Sequence, residues 1–139
     1  MSVETFTIAC STRGDGDAID LTPELIQGIE ESGLTDGVAT LFIGGSTAGV
    51  TTIEYEPGAV SDLMSVFEGI APRDREWKHH LRWGDHNGHS HVRSALLGPS
   101  LSVPFIGGVP ALGTWQQVVL VDFDDRPRRR EVVVQLLGE

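Results

Sequence analysis

The C-terminal part of the chain sets the tightest limit on the fold. Two stretches there, GTWQQVVLVDFD (113–124) and REVVVQLLGE (130–139), carry the apolar runs VVLV and VVV and are joined by an Asp-Arg-Pro turn. Runs this short and this rich in valine suit a pleated surface better than a helix. Their unbroken apolar character predicts strands buried on both faces. Cover for two such strands has to come from the rest of the chain or from further copies of it.

That remainder supplies more strands than helices. Val3, Phe6, Ile8 and Cys10 alternate, imperfectly, with polar neighbours in VETFTIACS, which predicts an opening strand. A Gly/Asp-rich turn, TRGDGDAID, follows it. VATLFIGG and GVTTIEYE, parted by Gly44, Gly45 and Ser46, predict two more strands. LSVPFIGGV is another, and Pro104 places it at an edge or a bulge. LTPELIQGIEESG predicts a helix with Thr22 as N-cap, Pro23 at the first helical position, Gly33 past its end and Leu25, Ile26 and Ile29 as its buried stripe. EPGAVSDLMSVFEGIAP predicts a second, with Pro57 in its first turn, Val60, Leu63, Met64 and Phe67 on one face and Pro72 as its stop. Strands rarely alternate with helices along the chain. The expected class is therefore α+β: a single domain over residues 1–139, a β-rich sandwich of mostly antiparallel strands with flanking helices.

Composition narrows the partners. A length of 139 residues with 40% hydrophobic content fits one domain with one sizeable core. The formal charge of -10 argues against nucleic acid, whose phosphates want clustered Lys and Arg. The one basic run, RPRRRE at 126–131, follows the acidic VDFDD and reads as local compensation, with anion binding as the alternative. No apolar run approaches the roughly 18 residues that span a bilayer, so no membrane role is expected. The opening MSVETFTIAC has no basic region of a secretory signal, and the single Cys10 fits a reducing compartment, so a cytoplasmic setting is expected.

The chemistry is concentrated in one place. All five histidines lie within WKHHLRWGDHNGHSHVRS (77–94), accompanied by Trp77, Trp83, Asp85 and Asn87. SHVRSALLG predicts a short helix with Ser90 as N-cap, apolar residues at 92, 95, 96 and 97, and Gly98 as its stop. His89 and His91 then straddle the helix start, and His91 sits where the positive end of the helix dipole disfavours imidazolium. A neutral ring there suits either metal ligation or catalysis beside a bound anion. Asp85 is a candidate ligand, a partner orienting a histidine, or a general base. His80 and His86 are expected to face solvent. The spacing matches no standard zinc motif.

Three stretches together resemble one family: GGSTAGVTTIEYEPG (44–58), WGDHNGHSHVRSALLGPSLSVPF (83–105) and ALGTWQQVVLVDFDDRPRRREVVVQLLGE (111–139). Leu112-Gly113-Thr114-Trp115-Gln116, followed by Pro127-Arg128 and the terminal strand, is the most specific part. The chain is identified on these as resembling the YjbQ family, small proteins often labelled secondary thiamine-phosphate synthases. The resemblance implies a compact jelly-roll-like fold assembled as a homotrimer, with a histidine-rich site near the subunit boundary. An aromatic-x-His element matches Trp77-Lys78-His79, and an Asn…His element before the Leu-Leu-Gly run matches Asn87 and His91. Many members read His-Thr-Thr-Ala where this chain has Gly45-Ser46-Thr47-Ala48. The approach to the Leu-Gly-Thr-Trp-Gln string also departs from the family, reading Gly108-Val109-Pro110.

Two functions follow as expectations. One is an enzyme that joins hydroxymethylpyrimidine pyrophosphate to thiazole phosphate, with His79, His91 and Asp85 catalytic. Ser46, Thr47, Asn87, Ser90 and Arg128 would hold a small phosphorylated molecule. The other is a metal-binding trimer without that turnover, or with an unrelated hydrolytic activity. A divalent metal, Zn or Mg, would sit on His79, His91 and either His89 or Asp85. Trp115 is expected to be structural, its removal costing about 3–5 kcal/mol as in other buried aromatic-to-alanine changes.

Overall fold

The computed structural model describes all residues 1–139 and is built on two antiparallel sheets. In chain order the elements are β1 (Ser2–Thr12), β2 (Asp17–Asp20), α1 (Thr22–Ser32), β3 (Gly37–Ile43), β4 (Ala48–Ile53), α2 (Pro57–Ile70), α3 (Lys78–Trp83), α4 (Gly88–Leu97), β5 (Ser100–Ile106), β6 (Val109–Pro110), β7 (Gln117–Asp122) and β8 (Arg128–Gly138). One sheet runs β1-β8-β3-β5-β6, the other β2-β7-β4. Inward residues of the first, including Ile8, Leu41, Ile43, Val132, Val134 and Leu136, meet Ala48, Val50, Val118 and Leu120 of the second. Leu25 and Ile29 of α1 join the same core. The α+β sandwich expected from the sequence is the fold observed. No helix is long and apolar enough to cross a membrane.

The two valine runs behave differently. β7 is the centre of the three-stranded sheet. Its Val118 and Leu120 face the sandwich interior, while Val119 and Val121 pack with Phe123 against Phe67 of α2. It is buried on both faces, as expected. β8 is not: Val132 and Val134 are buried, but Val133 between them is 42% exposed. The turn between the strands carries the chain from one sheet to the other, since β7 pairs with β2 and β4, and β8 with β1 and β3.

Several local expectations are corrected. Thr22 does not cap α1; Leu21 holds the cap position, and the Thr22 hydroxyl accepts from the Val118 N–H at 2.9 Å. Ile26 points outward. DAID, read as part of a turn, pairs with β7 as β2. α2 is capped by the Glu56 carboxylate, which accepts from the N–H groups of Gly58 and Ala59 at 2.8 Å each. α4 inverts the usual amphipathic logic: Val92 and Leu96 are exposed, whereas His89, Ser90, Arg93 and Ser94 are buried. Three of these buried groups have partners, with Ser94 Oγ donating to the Ala48 carbonyl at 2.6 Å, Arg93 Nε to the Ala71 carbonyl at 2.9 Å and Ser90 Oγ to the Phe123 carbonyl; His89 Nδ1 has none. Close approach also needs Gly49, where a Cβ would lie 2.7 Å from the Gly98 carbonyl oxygen. Trp115 is 74% exposed, so it is not a core residue of the single chain.

Candidate functional site

α3 and α4 bring the histidines together as a helix–turn–helix. α3, not anticipated from the sequence, ends at Gly84, whose φ of 68° suits glycine at a helix C-terminus. Asp85, His86 and Asn87 then lead into α4. Asn87, rather than Ser90, occupies the N-cap position, so α4 starts earlier than expected and Ser90 lies within it. The rings of His79 and His91 converge across the turn, 4.5 Å between centroids and inclined at 45°.

The Nδ1 nitrogen of each ring stands beside an oxygen, hydrogen-bonded in His91 and only in ion-pair contact in His79. His91 Nδ1 lies 3.1 Å from the Ser46 carbonyl oxygen, which can only accept, so Nδ1 carries the proton. His79 Nδ1 is 3.0 Å from Asp85 Oδ1, in an ion-pair contact too bent to count as a formed hydrogen bond. That contact favours the same tautomer. Each ring is thereby left with Nε2 as its free lone pair, the arrangement needed for proton transfer or for ligation.

His89 does not join them. Residues two apart in a helix point to opposite sides, and both histidines lie inside α4. His89 is fully buried, with Nε2 3.5 Å from Ser90 Oγ and Nδ1 unpartnered. Burial, then the nearby Arg93 cation, push its pKa down to about 4. The expectation of His89 as a third ligand is therefore corrected, and no three His, Cys, Asp or Glu side chains stand together as a metal-holding group. His80 and His86 form a second, looser pair with centroids 5.1 Å apart. His86 is exposed, but His80 is half-buried with Nε2 sealed from solvent, which corrects its expected exposure.

Beside the histidine pair lies a buried ionic network that the sequence reading did not reach. Arg130 forks onto Asp122, Nε to Oδ2 at 2.7 Å and Nη2 to Oδ1 at 2.9 Å. Thr12 Oγ1 also donates to Asp122 Oδ2, at 2.6 Å. Thr47 Oγ1 accepts from Arg130 Nη2 at 2.7 Å and donates to Asp124 Oδ2 at 3.2 Å. Asp124 further accepts from Arg128 Nη1 at 3.0 Å and from Asn87 Nδ2 at 3.3 Å. Burial works to raise the Asp122 carboxyl, but Arg130, the Thr12 hydroxyl and the Asp124 N–H offset it and hold the pKa below the usual value. Asp124 is likewise held low. The signal for Arg130 was present in the sequence: it shares the inward parity of Val132, Val134 and Leu136 on β8.

The expected anion-binding residues divide accordingly. Ser46 and Thr47 border the histidine pair, but the Thr47 hydroxyl is committed to Arg130 and Asp124. Ser90 is unavailable, because it is fully buried and its hydroxyl donates to the Phe123 carbonyl at 2.5 Å. Asn87 and Arg128 are tied to Asp124, with Arg128 about one-third exposed at 34%.

Comparison with known proteins gives a consistent result. A UPF0047 protein of Methanothermobacter thermautotrophicus is 34% identical over 139 residues, covering 100% of this chain and 95% of its own. The UPF0047 protein YugU of Bacillus subtilis is 30% identical, covering 95% of this chain and 98% of its own. The crystal structure of a YbjQ-like protein of unknown function from Sulfolobus solfataricus superposes with a TM-score of 0.94 at 32% identity, covering 99% of each chain. The family model described as UPF0047 protein YjbQ-like matches residues 6–139, and the chain belongs to that family.

Proposed function

We propose that the chain is an enzyme acting on a small phosphorylated molecule, with His79 and His91 as its proton carriers. The observation that supports this most directly is the convergence of the two rings, His91 with Nδ1 hydrogen-bonded to the Ser46 carbonyl and His79 with Nδ1 turned to the Asp85 carboxylate, so that Nε2 is the free nitrogen of each. The reaction suggested by the family label is thiamine-phosphate synthesis. There the C–O bond between the pyrimidine methylene and pyrophosphate breaks, its electron pair leaving with pyrophosphate. The thiazole nitrogen then supplies the pair for the new C–N bond. Either ring, once protonated at Nε2, can hand that proton to the departing pyrophosphate. Asp85 orients His79, and the partly exposed Arg128 offers charge to the phosphate oxygens. A divalent metal would supply further charge neutralisation there. The donors present, two imidazoles and one carboxylate turned to His79, do not make the oxygen-rich shell that Mg²⁺ takes.

The second reading is a metal-binding protein without this turnover. It is favoured by the same pair of free Nε2 atoms, one of them on a ring backed by a carboxylate as in many metal-held imidazoles. Two nitrogens fall short of the three or four protein ligands that zinc takes. Assembly as a homotrimer belongs to both readings, and the apolar outer face of the five-stranded sheet supports it. A coupled thiamine-phosphate assay on protein purified without a His-tag, paired with metal analysis, separates the two. Turnover that is lost in His91→Ala supports the enzyme. Bound metal without turnover supports the second reading and ends the first.

A further inference from the structure

We infer that the turn Gly44–Thr47 and the inner guanidinium of Arg130 form an oxyanion cradle beside the histidine pair, where a phosphate group of the ligand binds. Three observations meet there. The Arg130 side chain is 6% exposed, and its Nε and Nη2 are spent on Asp122 and Thr47, but Nη1 makes no hydrogen bond within the chain. Nη1 is also not among the polar atoms sealed from solvent, so the small exposure of this arginine includes a free donor. That donor faces Gly45, where a Cβ would stand 3.2 Å from Nη1; with no side chain at 45 the space in front of it is open.

The turn itself is the third observation. None of the backbone N–H groups of Gly44, Gly45, Ser46 or Thr47 donates to a carbonyl or side chain of the protein. Unpaired backbone N–H groups beside a guanidinium are the donors that an oxyanion takes up. The Ser46 carbonyl, by contrast, is held by His91 Nδ1 at 3.1 Å, which ties the turn to the histidine pair.

Charge sets the expected strength. Asp122 and Asp124 lie in the same network and formally cancel Arg128 and Arg130. The cradle therefore binds through directed N–H donors rather than through excess positive charge, and inorganic phosphate alone should bind in the millimolar range. Carboxylates turned inward to Arg130 and Thr12 do not compete for the free Nη1. This assignment rests on the reading of a phosphorylated ligand: it places that ligand's phosphate on Arg130 and the turn, with the reacting bond toward His79 and His91.

The test is titration of the full chain with inorganic phosphate and, separately, pyrophosphate, by calorimetry, in wild type and in Gly45→Ala, Gly45→Asp and His91→Ala. Residue 45 is exposed, its φ is not positive and a Cβ there would meet only the Arg130 guanidinium, so both variants should fold, with thermal melting followed as the control. Gly45→Ala should weaken phosphate binding about tenfold, the worth of one hydrogen bond to a charged group. Gly45→Asp should abolish it, and His91→Ala should leave it nearly intact. Tighter binding of pyrophosphate than of phosphate marks a diphosphate as the natural group; equal binding marks a single phosphate. Absence of phosphate binding at tens of millimolar, equal binding by both Gly45 variants, or its loss in His91→Ala overturns the cradle. Retained turnover in His91→Ala with phosphate binding lost only in the Gly45 variants would sink the proton-carrier reading and leave the cradle standing.

Discussion

At the scale of single residues, the five histidines divide by what their second nitrogen does. His91 Nδ1 is hydrogen-bonded to the Ser46 carbonyl and His79 Nδ1 stands 3.0 Å from the Asp85 carboxylate without a formed hydrogen bond, whereas His89 Nδ1 is buried with no oxygen beside it to pair with. His89 has a consequence for stability. It faces Arg93, Arg73, Glu68 and His80, and burial with the Arg93 cation pushes its folded pKa down to about 4 from the 6.5 of a free imidazole. Above about 6.5 the ring is neutral in both states and contributes no pH dependence. Between 6.5 and 4 the unfolded chain takes up a proton that the folded chain refuses, so stability falls as pH falls. The slope should approach ~1.4 kcal/mol per pH unit. Urea denaturation across this range should show that slope in wild type and a flatter one in His89→Gln; an identical slope in both would show that His89 is not the group responsible.

At the scale of elements, β7 with the cover of α2 and α4 carries the second core. Phe123 packs edge-to-face on Phe67, centroids 4.9 Å apart, and is 1% exposed. Phe123→Ala should cost about 3–5 kcal/mol, read as a lower urea midpoint with an unchanged slope. Trp115→Ala, at an exposed position, should change single-chain stability by no more than about 0.5 kcal/mol. A larger loss would mean that the tryptophan is covered in the assembly. The longer strands, α1, α2 and the sandwich were legible because period-2 and period-3.6 patterns report burial directly, whereas the four-residue β2 was lost in a Gly/Asp-rich turn. α4 was legible as a helix but not in orientation, since its buried face is polar and its apolar residues Val92 and Leu96 face out. α3 was hidden because its six residues, KHHLRW, have no buried side chain to create a pattern. The convergence of His79 and His91 could be expected from the family resemblance. The Arg130 network could not be expected by reading RPRRRE as a charge run, because alternation along β8 decides which arginine turns inward.

At the scale of the molecule, the outer face of the five-stranded sheet is more apolar than a solvated face needs to be. Val38 lies opposite Leu137, which lies opposite Val3, and Phe42 lies opposite Val133, with all five exposed. These two apolar rows, with Thr5, Gln135 and Thr40 between them, are the surface on which the trimer proposal rests. Light scattering should give a mass near three copies of the 15.0 kDa chain, and Phe42→Glu should lower it; a monomeric mass for wild type at micromolar concentration ends the trimer proposal.

The most direct test of the site is a comparison of four alanine variants, at His79, His91, His80 and His86, in a steady-state assay of thiamine-phosphate formation with melting followed in parallel. Loss of a proton carrier costs about a hundredfold or more in rate. His79→Ala and His91→Ala should show that loss with melting unchanged, and His80→Ala and His86→Ala should retain wild-type rates. Four variants with equal rates, or turnover lost only where the protein unfolds, would contradict the assignment of His79 and His91.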